Sequence, residues 1–371
     1  MTIRIGVPTE TGAGERRVAL VPDGVKLLSK GGAAAVSVQC GAGRSAGFTD
    51  DAYRAAGATM VDDAAEILGA SDVVVKVQRP TPAETARIGE RTVLVSLMGS
   101  GAAAAELPPL LAARRITWLA LERVPRITRA QSMDVLSSQS TVAGYKAVLL
   151  AASTLPRMFP MLTTAAGSIA PSRAFVLGAG VAGLQAIATA RRLGAVVSAF
   201  DVRPAAREQV QSLGASFVAA ETVTASAEAA GGYARAQSDD ERERTLAAIG
   251  AHLPGVDVVI ATAQIPGKPA PRLLTAAMVG TMRPGSVIVD LAAETGGNCE
   301  LTRPGETIEA DGVTVIGPLN IAATVPYHAS QMFGKNVVTL LQHLTPNGAL
   351  TIDLGDEITG AMTITHDGAV R

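Results

Sequence analysis

The sequence predicts an α/β fold of two domains, each built on a parallel sheet, joined by two long crossing helices. Three observations carry this. Apolar residues make up 48% of the chain and aromatics only 3%, so a core has to be built from Ala, Val, Leu and Ile, as in parallel sheets buried on both faces. Short Val- and Ile-rich runs alternate with helical patterns along most of the chain, the mark of βα repeats. At 371 residues the chain also exceeds what one ordinary core holds.

The elements follow in order. Strand candidates of the first domain are 3–7, 35–38, 72–77, 92–97 and 116–121, with helical stretches near 22–31, 50–57, 62–70 and 102–114 between them. Residues 133–157 give a long helical pattern that ends at Pro156 and is expected to cross into the second domain. There the strand candidates are 174–177, 196–200, 216–218, 256–260, 286–290 and 313–316. A second long helical pattern, 327–345, is expected to carry the chain back. The tail, 350–353 and 361–365 about a Gly-Asp turn, reads as a small hairpin. The predicted domains are therefore 1–130 with 335–371, and 131–334.

Composition excludes several function classes. The net charge is −1 with no basic tract, which argues against nucleic acid as a partner. Cys40 and Cys299 are isolated, without metal-ligand spacing, so no metal is expected and a reducing cytosol fits. Met1-Thr-Ile-Arg-Ile reads as a strand and not as a signal peptide. The longest apolar stretch, 147–155, is interrupted by Ser153 and Thr154 and falls far short of the ~18 residues of a spanning helix.

The sharpest chemical signal lies at 174–201. Ala174-Phe-Val-Leu177 runs into Gly178-Ala-Gly180-Val181-Ala182-Gly183, an Ala-rich helical stretch follows, and Val196-Val-Ser-Ala-Phe200 ends at Asp201. This is a dinucleotide-binding βαβ unit, and both domains are expected to be Rossmann-like. Gly178 permits the tight turn, Gly180 lets backbone approach a pyrophosphate, and Gly183 lets helix and sheet pack closely. The helix N-terminus offers N–H groups and partial positive charge to the phosphates. Asp201, with Val202 and Arg203 after it, falls where an adenosine ribose presents its hydroxyls. In a chain with 38 glycines a bare glycine pattern says little, and a plain strand–helix turn is the bland alternative. The flanking strands and the acid at Asp201 argue against it.

Other sites are more open. Gly6-Val-Pro-Thr-Glu10, Glu15-Arg-Arg17 and Lys76 fall at predicted strand ends of the first domain, the edge where open sheets carry ligands. A solvated salt-bridge face is the alternative for Arg17 and Lys76. Residues 225–240, around Gly231-Gly232-Tyr233, have weak periodicity and read either as a surface loop or as a lid.

With these residues in view, the whole chain resembles the alanine dehydrogenases and the NAD(H)-binding component of proton-translocating transhydrogenases. In alanine dehydrogenases, residues at the positions of Lys76 and Arg17 hold the pyruvate carboxylate and keto oxygen, and a histidine near 95–101 completes catalysis. This chain reads Val95-Ser-Leu-Met-Gly-Ser-Gly101 there, and its only histidines are His252, His328, His343 and His366. Glu294 stands where those enzymes carry a catalytic aspartate. Val77-Gln-Arg-Pro80, Pro125-Arg126-Ile-Thr-Arg-Ala-Gln131-Ser-Met-Asp134, Leu136-Ser137-Ser-Gln-Ser140 and Ala143-Gly-Tyr145 resemble the transhydrogenases more closely.

That resemblance implies that Arg126, Gln131 and Asp134, with Ser137, form a loop beside the nicotinamide. Gln131 is suited to bond ribose or carboxamide, and Arg126–Asp134 to pair bidentately. For Asp134 a helix cap is the bland alternative. The resemblance also favours the lid reading of Gly232 and Tyr233, and places Ala263 and Leu291 in strand-end loops on the nicotinamide side. It implies NAD(H) bound here, NADP(H) on a partner, and direct hydride transfer between them. The implied partners are membrane-spanning subunits with the proton channel and NADP(H) site, together with a second copy in a homodimer docked on the cytoplasmic face. An alanine dehydrogenase and a non-catalytic NAD-binding protein remain the alternatives.

Overall fold

The structure is a computed structural model and describes residues 2–99, 101–219, 237–265 and 268–371. The chain forms two compact units, Met1–Gln139 with Ala322–Arg371, and Ser140–Ile321. In chain order the first unit opens with β1 (Ile3–Val7), α1 (Pro22–Ser29), β2 (Ala34–Gln39), α2 (Asp50–Ala55), β3 (Thr59–Val61), α3 (Ala64–Ala70) and β4 (Val73–Val75). It continues through α4 (Pro82–Thr85), β5 (Val93–Ser96), α5 (Ala102–Ala113) and β6 (Thr117–Ala120) to α6 (Val135–Thr154), which runs on into the second unit. The second unit holds a hairpin, β7 (Leu162–Thr164) and β8 (Gly167–Ile169), then β9 (Arg173–Leu177), α7 (Val181–Arg192), β10 (Val196–Phe200), α8 (Ala205–Ser212) and β11 (Ser216–Phe217). After it come α9 (Asp239–His252), β12 (Val258–Ala261), α10 (Ala276–Val279), β13 (Val287–Asp290), β14 (Thr307–Ala310) and β15 (Val313–Ile316). The first unit closes with α11 (Pro326–Leu344), α12 (Glu357–Met362), β16 (Thr363–His366) and β17 (Ala369–Val370).

Both main sheets are doubly wound. The strand orders are β17-β16-β6-β5-β4-β1-β2-β3 and β11-β10-β9-β12-β13-β15-β14. Their centres are parallel, as Val-rich strands buried on both faces require. The edges depart from the expected all-parallel sheets, because β16 pairs antiparallel with β6, and β14 with β15. In every such sheet the connections run in opposite directions about one pair of strands, here β1/β4 and β9/β12. That pair is the topological switch point, where a crevice opens at the carboxyl ends.

Three boundaries differ from the sequence reading. The first unit extends to Gln139, past the expected 130, because Ala130, Met133 and Val135 join its core and Asn336 donates to the Ser132 carbonyl. The helix α11 lies wholly in the first unit, since Phe333, Val337, Leu340 and Leu341 face that core; the return passage is the short turn Ile321–Thr324. The tail hairpin is not 350–353 with 361–365. Asp356 caps α12 through the Ile358 and Thr359 N–H groups, which makes 357–362 helical. The hairpin is β16–β17, turning at Asp367 and Gly368, both with positive φ (44° and 91°); an Asp-Gly pair supports such a turn.

Helix starts are of two kinds, and α1, α5, α8 and α11 share with α7 the lack of a side-chain cap. α2, α3, α4, α9, α10 and α12 begin at side-chain caps, Thr49, Asp63, Thr81, Ser238, Thr275 and Asp356. α7 begins at Gly180 with no side-chain cap.

Candidate dinucleotide site

The second unit places the predicted glycines at its switch point. β9 ends at Leu177, and Gly178 turns with φ +90°, a region that favours glycine. A Cβ on Gly183 would lie 1.8 Å from the Gly178 carbonyl oxygen, so the third glycine is required for the turn to close on the helix. A Cβ on Gly180, by contrast, would meet nothing within 4 Å. The glycine here keeps a surface open instead of fitting a contact, and it stands at the uncapped N-terminus of α7, beside Val181 and Ala182. This cradle fits a pyrophosphate: open backbone, oriented N–H groups and the positive end of a helix.

Asp201 follows β10 and is buried. Its carboxylate accepts from the Ala179 N–H at 2.7 Å and the Arg203 N–H at 2.9 Å, and from Arg203 Nε and Nη2 at 2.9 and 2.8 Å. The acid is thus tied to the glycine turn by the backbone, as a ribose-binding acid needs to be. Val202 is half-buried next to it.

Beyond the turn, a pocket is lined by Ala182, Thr262, Gln264, Leu291, Glu294 and Asn320, among others of this unit. Ala263 stands in its loop because Asn298 clamps it: the Asn298 Oδ1 accepts from the Ala263 N–H at 3.0 Å and its Nδ2 donates to the Ala263 carbonyl at 2.8 Å. Leu291 is held by Asp290, whose fully buried carboxylate accepts from Ala292 N–H, Cys299 N–H and the Thr302 hydroxyl. Glu294 accepts from the Asn320 N–H at 2.7 Å, and Asn320 takes a left-handed φ of 45°. Sequence reasoning missed Thr262 and Asn320 as wall-formers and Asn298 as the clamp on the Ala263 loop. It also missed Gly144 of α6, where a Cβ would lie 2.1 Å from the Ala182 carbonyl. Their partners are dozens of residues away in sequence, and only the glycine of Ala143-Gly-Tyr145 gave a local hint.

Arg126, Gln131, Asp134 and Ser137 lie in the first unit. Arg126 is exposed between two short 3-10 turns, Leu121–Arg123 and Thr128–Met133, and Gln131 is exposed within the second. Asp134 caps α6, accepting from the Ser137 N–H at 2.9 Å and the Ser137 hydroxyl at 2.6 Å. Each carboxylate oxygen thus meets Ser137, three residues on, as the helix-cap alternative for Asp134 has it. Gly232 and Tyr233 lie outside the described residues.

Arg17 and Lys76 are not on a solvated face; both are buried at the switch point of the first sheet. Lys76 follows β4 and pairs with Glu84 at 2.8 Å and Glu10 at 3.5 Å. Arg17 meets Glu15 through Nε and Nη2 at 2.8 and 2.7 Å, and donates to Gln139 at 2.7 Å. Burial pushes the Glu10 carboxyl above its ordinary range against the pull of Lys76. Burial pushes Glu84 upward too, but the Lys76 charge and the hydrogen bonds from Lys76 and Thr81 together outweigh it and leave that carboxyl below its ordinary value. The loop after β5 carries no imidazole; Glu122 accepts from the Met98 and Gly99 N–H groups there.

Two family models cover this architecture: "Alanine dehydrogenase/PNT, N-terminal domain" matches residues 6–143, and the C-terminal domain of the same family matches 147–371. The chain belongs to the alanine dehydrogenase/PNT family. Within that family it sides with the transhydrogenases. It is 48% identical to an NAD(P) transhydrogenase subunit alpha protein of Rhodospirillum rubrum, over 99% of this chain and 97% of that protein. The crystal structure of transhydrogenase from Sinorhizobium meliloti superposes with a TM-score of 0.89 at 43% identity, covering 99% of this chain and all (100%) of that one. The alanine dehydrogenase of Mycobacterium tuberculosis is similar at 29% identity, over 99% of this chain and 94% of that enzyme. The family places the chain as a transhydrogenase component with two Rossmann-like domains. No helix among the described residues is long and apolar enough to cross a membrane.

Proposed function

We propose that the chain is the NAD(H)-binding subunit of a proton-translocating transhydrogenase, working against NADP(H) held on a partner subunit. The observation that carries the reading is the cleared switch point of the second unit: the open backbone at Gly180, the uncapped α7 and the buried carboxylate of Asp201 in one turn. NADH, when bound, supplies the hydride from C4 of its nicotinamide. No proton travels with a hydride, so the chain needs no general acid or base and has only to position the ring and exclude water. In this reading Gly178–Gly183 holds the pyrophosphate and Asp201 the adenosine ribose. The strand-end loops of Ala263 and Leu291 face the nicotinamide, and Arg126 and Gln131 orient it, with Asp134 and Ser137 shaping their loop.

Alanine dehydrogenation is disfavoured by the first unit. The loop after β5 has no histidine, and Glu84, Glu10 and Glu15 already hold the two cations that a pyruvate carboxylate would need. A homodimer is supported by β7–β8, a two-stranded sheet separate from both others, with Met161, Leu162 and Ile169 exposed. Such a hairpin is marginal alone, and a second copy would cover it. The subunit names of the relatives support partner subunits; in this reading those partners span the membrane and the chain sits on its cytoplasmic face.

The test is single-turnover transfer from NADH to an NADP⁺ analogue in the complex reconstituted with its membrane partner. Gln131→Asn should slow transfer by on the order of 100-fold, as roughly 1 Å of misplacement does, with NADH affinity nearly unchanged. An unchanged rate would remove Gln131 from the site. Pyruvate- and ammonia-dependent NADH oxidation by the isolated chain at about 1 per second or faster would replace the reading with alanine dehydrogenase.

A further inference from the structure

We infer that the Arg203 guanidinium is the built-in occupant of the ribose position, and that it sets how strictly the chain separates NAD(H) from NADP(H). This rests on the reading that Asp201 receives the adenosine ribose. An ionised carboxylate offers about four acceptor positions, and Asp201 fills them with the Ala179 N–H, the Arg203 N–H, Arg203 Nε and Arg203 Nη2. The first two donors are backbone, one in the glycine turn and one just past β10, and they fix the carboxylate in place. The other two belong to a side chain on rotatable bonds.

A vicinal ribose diol also presents two donors side by side, so on this carboxylate it can only take the pair of positions that the guanidinium fork holds. Binding of NADH therefore exchanges one bidentate partner for another, and the affinity is lower by whatever the Arg203–Asp201 pair is worth. The side chains are 20% and 7% exposed, so the pair is only partly screened by solvent.

The displaced guanidinium does not leave. The Arg203 main-chain N–H bonds the same carboxylate independently of the side chain, so the cation stays within reach of the 2′ position. A 2′-phosphate there would meet Asp201, which repels it, and Arg203, which can take it bidentately. Arg203 thus works twice against selectivity, competing with the diol and tolerating the phosphate.

The experiment is calorimetry on the full chain with NADH, NADPH and two minimal probes, 5′-AMP and 2′,5′-ADP. For Arg203→Ala, NADH and 5′-AMP should bind about threefold to tenfold tighter, and NADPH and 2′,5′-ADP at least about tenfold weaker. Arg203→Lys, which keeps the charge but loses the fork, should tighten 5′-AMP similarly while losing less of the 2′,5′-ADP affinity. Weaker or unchanged binding of 5′-AMP to Arg203→Ala overturns the inference, since the guanidinium would then be a direct contact or a bystander. Asp201→Asn separates this from a failure of the parent reading. If 5′-AMP affinity ignores that change, Asp201 is not the ribose partner, whatever Arg203 does.

Discussion

The two switch points of this chain share a topology and have opposite contents. β1 lies between β2 and β4 just as β9 lies between β10 and β12. Lys76 directly follows β4 and Thr262 directly follows β12, so these two residues hold equivalent places. In the first sheet that place carries a buried cation with Glu84 and Glu10 folded over it, and Arg17 with Glu15 and Gln139 completes the plug. In the second sheet it carries a small hydroxyl, and the neighbouring strand runs into the glycine turn at Gly178. Winding direction opens a crevice in both cases. Side-chain volume and charge decide whether the crevice receives a ligand or becomes part of the core. A buried lysine cannot be left alone, because removing an ion from water costs several kcal/mol unless partners surround it. Once its partners are recruited, the lysine's charge is already met within the fold.

The largest expected effect tests the plug. Lys76→Met leaves Glu10 and Glu84 buried without their cation, and breaking such a cluster costs about 3–5 kcal/mol. Urea denaturation should show that loss, with the NADH affinity of the folded protein within about twofold of the parent, because distant sites act independently. Parental stability for this variant would mean that the plug is not structural, and the contrast between the two crevices would collapse.

Gly183→Ala should give the reverse signature. Its Cβ would stand 1.8 Å from the Gly178 oxygen and 2.9 Å from its carbonyl carbon, and backbone cannot yield there without opening the turn. Overpacking of this kind costs about 1–3 kcal/mol. The distorted cradle should lower NADH affinity by at least about tenfold, a loss of roughly 1.4 kcal/mol. Normal affinity in a titration would show that the phosphates do not use this turn.

The second crevice was legible in sequence and the first was not. Gly178, Gly180, Gly183 and Asp201 form a local pattern, since a tight turn, a close approach and a strand-end acid recur at fixed spacing in one βαβ unit. The plug is assembled from separated pieces: Glu10, Glu15, Lys76, Glu84 and Gln139 meet only when the sheet forms, and a charged residue in a loop looks the same in sequence whether it ends buried or exposed. The Asp134 cap was visible as an alternative because capping is local. The tail hairpin was not legible because Asp356 turns 357–362 into helix, a choice made by one side chain that strand propensity does not see. Asn298 and Thr262 act on backbone across adjacent strands, and nothing near them in the chain announces it.

Acid should separate the two units. Asp72, Glu84, Asp356 and Asp367, all in the first unit, have carboxyls held below their ordinary range. Arg4 does this for Asp72 and Arg115 for Asp367. At Glu84 and Asp356 burial acts upward but hydrogen bonds and nearby cations outweigh it. A depressed carboxyl contributes stability that is present above its unfolded pKa, about 4, and lost as pH falls through the folded value. Glu10, raised by burial, has the opposite sign and offsets part of the effect. Among the described residues the acid-sensitive pairs thus gather in one unit. Trp118, the single tryptophan, is fully buried in β6, so its emission should shift to the red at a higher pH than amide exchange opens in β9, β10 and β12. Opening of both units at one pH, or of the second unit first, would contradict this assignment.

The smallest effect is the finest test of the equivalence between Lys76 and Thr262. The Thr262 hydroxyl donates to the carbonyls of Gly178 at 2.9 Å and Leu177 at 3.2 Å, tying the end of β12 to the start of the glycine turn. Thr262→Val keeps the shape and removes that tie, which costs about 1 kcal/mol, the net worth of a typical internal hydrogen bond. Because the turn is also held by Gly183 packing and by the Ala179–Asp201 bond, NADH affinity should fall by less than about fivefold. Thr262→Ser, which keeps the donor, should recover most of both losses. If the valine variant instead loses as much stability as Lys76→Met, the residue after the fourth strand would be a structural anchor in both sheets, and the difference between the crevices would rest on the glycines alone.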